Sequence, residues 1–299
     1  MKAIKVHQVD AFTDVLFGGN PTAVVLDADH LSDQDMRNLA REMNLSESTF
    51  ILKSDEADFR LRYFTPPGDE IKFCGHATVG ALATISRLGL YGAAPGQQKR
   101  LSFQTNAGVL NADLDCPDVV DPIIIFDAPH VDLVEAPYEL ESVRAALGIL
   151  PEYIDWSRPL MLEKTNNYLY FTINNLSQLE KIDLDVRGAI DFAKEDRIVV
   201  FCALTTETVD KENHVHARGY APLVGVPEDP FTGSMQGGLA GYLVANDMVS
   251  TELSFIGSEQ GHFMGRPGHV KIELIRGEQF KARLHARAVH VFSTEMNLP

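Results

Sequence analysis

The chain has 299 residues, which at roughly 150 residues per domain suggests two domains or one large one. Apolar residues make up 45% and charged residues 23%, values that exclude disorder, collagen and coiled coil as overall descriptions. Twenty-six basic against 42 acidic residues give a net charge of −16, which repels polyanions and argues against nucleic acid as the main partner.

The first residues lack the apolar stretch and cleavage site of a secretory signal, and no run approaches the roughly 18 apolar residues of a membrane span. We therefore expect a cytoplasmic protein without a membrane segment. Three cysteines, Cys74, Cys116 and Cys202, are too few and too scattered for a disulfide framework or a zinc cage. The histidines do not supply a recognisable ligand spacing either, so the sequence predicts no metal site.

Local patterns predict a mixed α+β chain with many strands. Ser32 begins a capping-box-like helix start. Apolar residues at every second position over 59–64 and 215–219 predict half-buried strands. The pattern over 101–114 predicts two strands around a turn. Short apolar runs typical of buried strands follow at 123–126, 168–173 and 198–204. The acidic stretch from Cys116 to Pro122 is the expected joint between two halves, 1–122 and 123–285, and a C-terminal strand near 286–299 is expected to complete the first half.

An internal repeat supports two similarly built halves. Residues 62–66 resemble residues 218–222, and each segment is followed by the pattern E-x-x-F-x-G-x-x-x-x-G, at 70–80 and at 228–238. Gly, Pro and Glu are common, so a chance match is the alternative. If the repeat is real, each copy is a strand, a proline-containing loop and a helix start.

Two glycine-led helix starts, Gly75-His76 and Gly233-Ser234, would each present free backbone N–H groups at a positive helix end. If both face one cleft, they could hold a carboxylate or an oxyanion. The alternative is that the glycines only permit tight turns and close packing of helix on sheet. Neither segment matches a phosphate-binding loop or a dinucleotide fingerprint.

Three ionisable side chains lie next to these motifs. Glu47 stands among small polar and apolar neighbours, where desolvation would suit acid/base work, although a solvated loop glutamate is the ordinary interpretation. Aspartate is common near helix starts because its charge is favourable there, so Asp229 has a structural explanation as well as a functional one. His76 is equally well explained as a structural histidine. In the repeat Cys74 aligns with Thr232, which disfavours a racemase that needs one thiol on each side of its substrate.

The ordered motifs resemble the PhzF-like family of phenazine biosynthesis, relatives of diaminopimelate epimerase. The resemblance runs nearly end to end through residues 10–13, 17–25, 44–50, 64–66, 73–78, 228–234 and 265–268. It implies an α+β fold of two pseudo-symmetric halves, each a mixed β barrel around a central helix, with the active site in the cleft between them. A homodimer without a cofactor is also implied.

The resemblance assigns roles to particular residues. It makes Glu47 the catalytic acid/base and implies that the other site residues bind a small carboxylate substrate: His76, Asp229, Ser234, Gly75, Gly233 and, more weakly, Asn20. Three residues depart from the usual pattern of relatives and leave the substrate's size or polarity open: Cys74, Met235 and Gln236.

The implied activity is an isomerase that moves a proton between carbons, as in conversion of trans-2,3-dihydro-3-hydroxyanthranilate to its keto tautomer. One glutamate acting on one face gives such a shift, whereas inversion at carbon needs a second base. An epimerase or racemase using Glu47 and Asp229 is therefore the enzymatic alternative. A binding module that keeps the cleft and has lost its chemistry is the third possibility.

Overall fold

The computed structural model describes residues 2–94, 96–116, 122–277 and 280–298. It contains two compact units, Met1–Asp127 with His285–Pro299 and Ala128–Leu284. Of the stretch expected to join the halves, residues 117–121 lie outside the described residues. The first segment extends to Asp127 because the strand that follows this stretch pairs with the strand that precedes it.

Runs of strands are separated by single helices or pairs of helices along the chain. The first segment contains β1 (Lys2–Ala11), β2 (Asn20–Val25), α1 (Asp33–Met43), β3 (Glu47–Leu52), β4 (Phe59–Phe64), β5 (Glu70–Ile71), α2 (Gly75–Arg87), β6 (Gln98–Thr105), β7 (Gly108–Asp115) and β8 (Ile123–Asp127). Then follow β9 (Leu133–Glu135), α3 (Leu140–Ala146), β10 (Met161–Glu163), β11 (Tyr168–Thr172), α4 (Leu176–Glu180), α5 (Val186–Asp196), β12 (Val200–Thr205), β13 (Val215–Ala221), β14 (Val226–Asp229), α6 (Gln236–Ala245), β15 (Phe255–Gln260), β16 (Gly268–Ile275), β17 (Lys281–Ala286) and β18 (Ala288–Leu298).

The predicted capping box sets the start of α1. The Ser32 hydroxyl accepts from the Asp35 N–H at 3.2 Å, and the Asp35 carboxylate accepts from the Ser32 N–H at 3.0 Å. Asn44 ends the helix in the left-handed conformation with φ 50°. The chain therefore turns sharply just before β3, whose first residue is Glu47.

Helix α2 is the core of the first unit. All its residues except Arg87 are buried, and it packs on β1, β2, β3, β8 and β18. Those strands belong to a mixed sheet in the order β18-β1-β2-β3-β4-β6-β7-β8, in which β2–β3 and β4–β6 are parallel. Helix α2 lies very close to β2 at Gly80, since a Cβ on this residue would be 2.3 Å from Thr22 Cγ2. Gly80 therefore serves packing of helix on sheet.

The second unit repeats this order. Strands β10, β11, β12, β13, β15 and β16 pair successively, with β11–β12 and β13–β15 parallel. Helix α6 is buried from Gln236 through Leu243, and a Cβ on Gly238 would lie 2.3 Å from Tyr170 Oη. The predicted fold, two pseudo-symmetric halves that each form a mixed β barrel around a central helix, is confirmed.

The repeated arginine and glutamate have a structural explanation. Arg62 donates twice to Glu70, at 2.8 and 2.7 Å, and Arg218 donates twice to Glu228 at the same distances. Each guanidinium also lies over the aromatic ring two residues further along its strand, 5.1 and 5.2 Å from the centroid. In each unit this pair closes the loop that leads to the central helix.

Candidate functional site

Glu47 is held at the first position of a buried strand. Parallel pairing with β2 starts β3 at Glu47, which lies opposite Thr22. The Thr22 hydroxyl donates to the Glu47 carbonyl at 2.9 Å. The Glu47 side chain is 17% exposed, so its carboxylate is largely withdrawn from water while remaining accessible.

The start of α2 is fixed against the same strand. Thr49, on the same face of β3 as Glu47, donates to the Ala77 carbonyl at 3.3 Å. The Cys74 carbonyl accepts from the Thr78 N–H at 3.0 Å and from the Thr78 hydroxyl at 2.7 Å. Cys74 itself is extended, with φ −142° and ψ 119°, and immediately precedes the helix. These contacts bring the first turn of α2 to the Glu47 end of β3.

Glu47, His76 and Cys74 form one contact cluster. His76 Nε2 lies 3.1 Å from Glu47 Oε2, and Cys74 Sγ lies 3.3 Å from His76 Nδ1 and 3.9 Å from Nε2. The His76 side chain is only 8% exposed. The sequence singled out Glu47 and His76 separately and did not assign Cys74 to the site. Cys74 stands two residues before His76, just ahead of the first residue of α2. This spacing is the sequence signal that could have indicated the contact.

The cluster favours a charged imidazole next to a carboxylate. Burial opposes protonation of His76, but the adjacent Cys74 sulfur and the Glu47 carboxylate outweigh it and raise the pKa of His76 well above its usual value. Burial raises the pKa of the Cys74 thiol, and the charge of Glu47 acts in the same direction. Protonated His76 can donate a charge-assisted hydrogen bond to Glu47.

Asn20 lies beside the same end of β3. It is fully buried at the start of β2, and the Ser46 hydroxyl donates to Asn20 Oδ1 at 3.3 Å. The preceding Gly19 has φ +50°, and a Cβ there would lie 2.0 Å from the Ala11 carbonyl oxygen. Only glycine fits this turn, which places Asn20 two residues before Thr22, the residue opposite Glu47.

The remaining predicted site residues lie in the second unit. Asp229 Oδ2 accepts from the Thr232 hydroxyl at 2.7 Å, and the Asp229 carbonyl accepts from Gln260 Nε2 at 2.7 Å. Ser234 Oγ is 2.9 Å from the Tyr168 hydroxyl. Gly233 begins a single 3-10 turn rather than the α-helix itself, because the Met235 N–H bonds the Thr232 carbonyl at 3.2 Å; α6 begins at Gln236.

The catalytic-type side chains of the first unit have no counterparts in the second. When Arg62 is aligned with Arg218, the strand registers align Glu47 with Val200, the first residue of β12. The helix starts align Cys74 with Thr232 and His76 with Ser234. The carboxylate, imidazole and thiol are thus a feature of one unit.

Two groups of three side chains are close enough to share a metal ion among the described residues. One is the cluster of Glu47, Cys74 and His76. The other is formed by His216, Glu259 and His262 in the second unit, and no sequence pattern indicated it. Burial opposes ionisation of Glu259, but the donors around it outweigh burial and lower its pKa to about 2. The sequence predicted no metal site at either group.

Within the described part of the chain, the helices are too short or too polar for any of them to cross a bilayer.

Comparison with known proteins identifies the family. The model of the PhzC-PhzF family, described as phenazine biosynthesis-like protein, matches residues 9–294. The chain is 30% identical to an uncharacterized isomerase of Clostridium acetobutylicum, over 100% of this chain and 99% of the relative.

Solved structures agree with that match. The crystal structure of a PhzF-family phenazine biosynthesis protein from Bacillus anthracis is 28% identical and has a TM-score of 0.90, over 100% of both chains. A hydroxyproline epimerase from Agrobacterium vitis shares the fold alone, at 10% identity and a TM-score of 0.62 over 99% of this chain and 91% of that one. The chain belongs to the PhzC-PhzF family of phenazine biosynthesis-like proteins.

Proposed function

We propose that this protein is an isomerase that moves a proton between two carbons of a small carboxylate, with Glu47 as the acid and base. The observation that carries the proposal is the contact between Glu47 Oε2 and His76 Nε2 at 3.1 Å in a largely buried setting. A carboxylate held there has an imidazole within hydrogen-bond distance and is accessible enough to reach a substrate. The isomerase naming of the Clostridium relative agrees with this reaction class.

The proposed reaction has two proton transfers. The Glu47 carboxylate removes a proton from carbon, and the electron pair of the broken C–H bond delocalises into the conjugated carboxylate or diene of the substrate. Charged His76 and the first N–H groups of α2, beginning at Gly75, stabilise the negative charge that develops. Glu47 then returns the proton to a different carbon while the double bond shifts. The reaction needs no net oxidation.

The asymmetry of the repeat supports a proton shift over inversion. A two-base epimerase needs a second acid/base group, but Val200 stands at the position equivalent to Glu47. Asp229 is the remaining candidate, and its Oδ2 already accepts from the Thr232 hydroxyl at 2.7 Å. We therefore propose that Asp229, together with Ser234 and Gly233, positions substrate.

The test of reaction class is proton NMR in D₂O with candidate conjugated cyclic carboxylates and with chiral amino and hydroxy acids. A one-base shift predicts a new regioisomer. The carbon that accepts the proton should carry deuterium from the solvent in part of the product, and in the rest the label that the donor carbon carried at the start. Racemisation with complete exchange at one chiral carbon would instead establish the epimerase. Glu47→Gln should give neither product.

The binding-module alternative predicts a different pattern. Thermal-shift measurements with the same carboxylates should show stabilisation of the isomerase that weakens on substitution of His76. Stoichiometric capture of a protein partner, with no carboxylate response and no turnover, would contradict the proposal.

Assembly and cofactor use are proposed on the resemblance. We propose a cytoplasmic homodimer that works without a cofactor. Sedimentation equilibrium should give twice the chain mass of 33.0 kDa, and a mass equal to one chain would contradict the dimer.

A further inference from the structure

The imidazole of His76 has a different partner at each of its two nitrogen atoms. Nε2 lies 3.1 Å from Glu47 Oε2. Nδ1 lies 3.3 Å from Cys74 Sγ, which is farther from Nε2, at 3.9 Å. The His76 side chain is only 8% exposed, so water competes little for either nitrogen. The carboxylate and the sulfur therefore contact separate nitrogens of one buried ring.

The sulfur decides which nitrogen of a neutral His76 carries the proton. A neutral imidazole has one N–H donor and one acceptor nitrogen, and the hydrogen bond at one nitrogen sets the state of the other. When the Cys74 thiol donates to Nδ1, the N–H lies on Nε2 and donates to Glu47. The opposite tautomer would turn the lone pair of Nε2 toward the carboxylate. When His76 is protonated, Nδ1–H donates to the sulfur and Nε2–H still donates to Glu47.

Buried contacts hold Cys74 in this position. Its carbonyl accepts from the Thr78 N–H at 3.0 Å and from the Thr78 hydroxyl at 2.7 Å. The Thr78 hydroxyl accepts in turn from the hydroxyl of Tyr63, on β4, at 2.6 Å, and both of these residues are fully buried. The backbone that carries the thiol is therefore tied to both α2 and β4.

The charges around His76 agree with this arrangement. Glu47 on β3 and Cys74 ahead of α2 face the imidazole. Burial lowers the pKa of His76, but the interactions with Cys74 and Glu47 outweigh burial and raise it well above its usual value. Tyr63 is a further titratable group beside Cys74, and burial raises the pKa of its hydroxyl, so it remains neutral. Loss of the Cys74 sulfur should therefore lower the pKa of His76.

We propose that Cys74 is a positioning residue that acts on Glu47 through His76: its sulfur at Nδ1 keeps an N–H on Nε2 directed at the Glu47 carboxylate. The arrangement belongs to the first unit, because Thr232 and Ser234 stand at the positions equivalent to Cys74 and His76. The effect on catalysis rests on the proposed function, whereas the state of the imidazole does not.

NMR of the ¹⁵N-labelled protein tests the positioning without a substrate. His76→Gln identifies the His76 ring signals by their loss. In the wild type the neutral ring should be the Nε2–H tautomer. In Cys74→Ala the neutral ring should become a mixture of tautomers, and the pKa of His76 should fall. Cys74→Ser should lie between the two, because its hydroxyl can donate but a C–O bond is shorter than a C–S bond.

Cys202→Ala is the matched control. It removes a fully buried free thiol from the second unit, so the His76 signals should match those of the wild type. Circular dichroism confirms that each variant is folded. Cys74→Val keeps a side chain of similar size without a donor, and it gives the same readout if Cys74→Ala does not fold.

The pH dependence of kcat/KM tests the consequence for catalysis, with the substrate identified by NMR. The alkaline limb, where His76 loses its proton, should move to lower pH in Cys74→Ala. Between the two limbs the variant should be roughly 10- to 100-fold slower than the wild type, as expected for one hydrogen bond to a charged group. At lower pH, where His76 is protonated in both proteins, the rates should converge. Cys202→Ala should keep the wild-type profile.

Two results would overturn the positioning role. One is an unchanged tautomer and pKa of His76 in Cys74→Ala or Cys74→Val. The other is an equal loss of kcat/KM at every pH, which indicates structural damage alone. The expected NMR changes in a protein that converts none of the candidate substrates would count against the proposed function and leave the positioning role standing.

Discussion

Replacement of Gly80 by alanine tests the packing that positions α2. The new Cβ would lie 2.3 Å from Thr22 Cγ2, well inside the carbon–carbon contact distance of about 3.5–4.0 Å. Neither partner can withdraw easily, because α2 and β2 are both buried. Overpacking costs about 1–3 kcal/mol, and so deep an overlap belongs at the upper end. Alanine regains about 1 kcal/mol of helix propensity. We expect a net loss of about 2 kcal/mol in the free energy of unfolding.

Thr22→Ser provides the matched test of this explanation. It removes the clashing methyl group and retains the hydroxyl that donates to the Glu47 carbonyl. Serine alone should cost about 1 kcal/mol for the lost methyl. The double variant should be at least about 1 kcal/mol more stable than the two single losses added together.

The assay must report on the first unit. The single tryptophan, Trp156, belongs to the second unit, so its fluorescence is uninformative here. Urea denaturation followed by far-ultraviolet circular dichroism gives the stabilities, and hydrogen exchange of 75–87 locates the change. If Gly80→Ala is as stable as wild type, or if Thr22→Ser gives no relief, the close approach is not what requires glycine.

Two further predictions concern stability. Burial lowers the pKa of His7 from 6.5 to about 4, so the folded state holds fewer protons than the unfolded state between those values. The stability that this neutral histidine contributes is complete above pH 6.5 and is lost as the pH falls toward 4. In that window His7→Gln should reduce the pH dependence of the free energy of unfolding, measured by urea denaturation. An unchanged pH dependence would contradict the assignment. Arg218→Lys should cost about 3 kcal/mol because it leaves Glu228 poorly paired. It also removes donors from three backbone carbonyls, so it should cost more than Arg62→Lys, and equal losses in urea would refute the argument.

Much of the fold was available from local patterns. The capping box at Ser32 predicted the start of α1, because this motif depends only on two residues three positions apart. The shared arginine, glutamate and glycine positions predicted two similar halves. The reason for these shared residues could not be predicted, because it depends on how the strands pair. In the structure the arginine and glutamate pair with each other, and Gly80 and Gly238 allow the helices to pack closely.

The site was only partly predictable, because its contacts join distant segments. Glu47 begins β3 through parallel pairing with β2, a contact that no local periodicity contains. The position of Cys74 against His76 depends on the geometry of a helix start. The neighbourhood of His216, Glu259 and His262 joins three strand and loop positions that share no motif.

The most direct test of the account is the kcat/KM of Glu47→Gln on the substrate identified by NMR. Glutamine keeps the shape of the side chain and removes the base, so we predict a loss of roughly 10²–10⁴-fold. Glu42→Gln, an exposed change on α1, should keep the wild-type rate. A folded Glu47→Gln enzyme within threefold of wild type would contradict the claim that this carboxylate carries the proton.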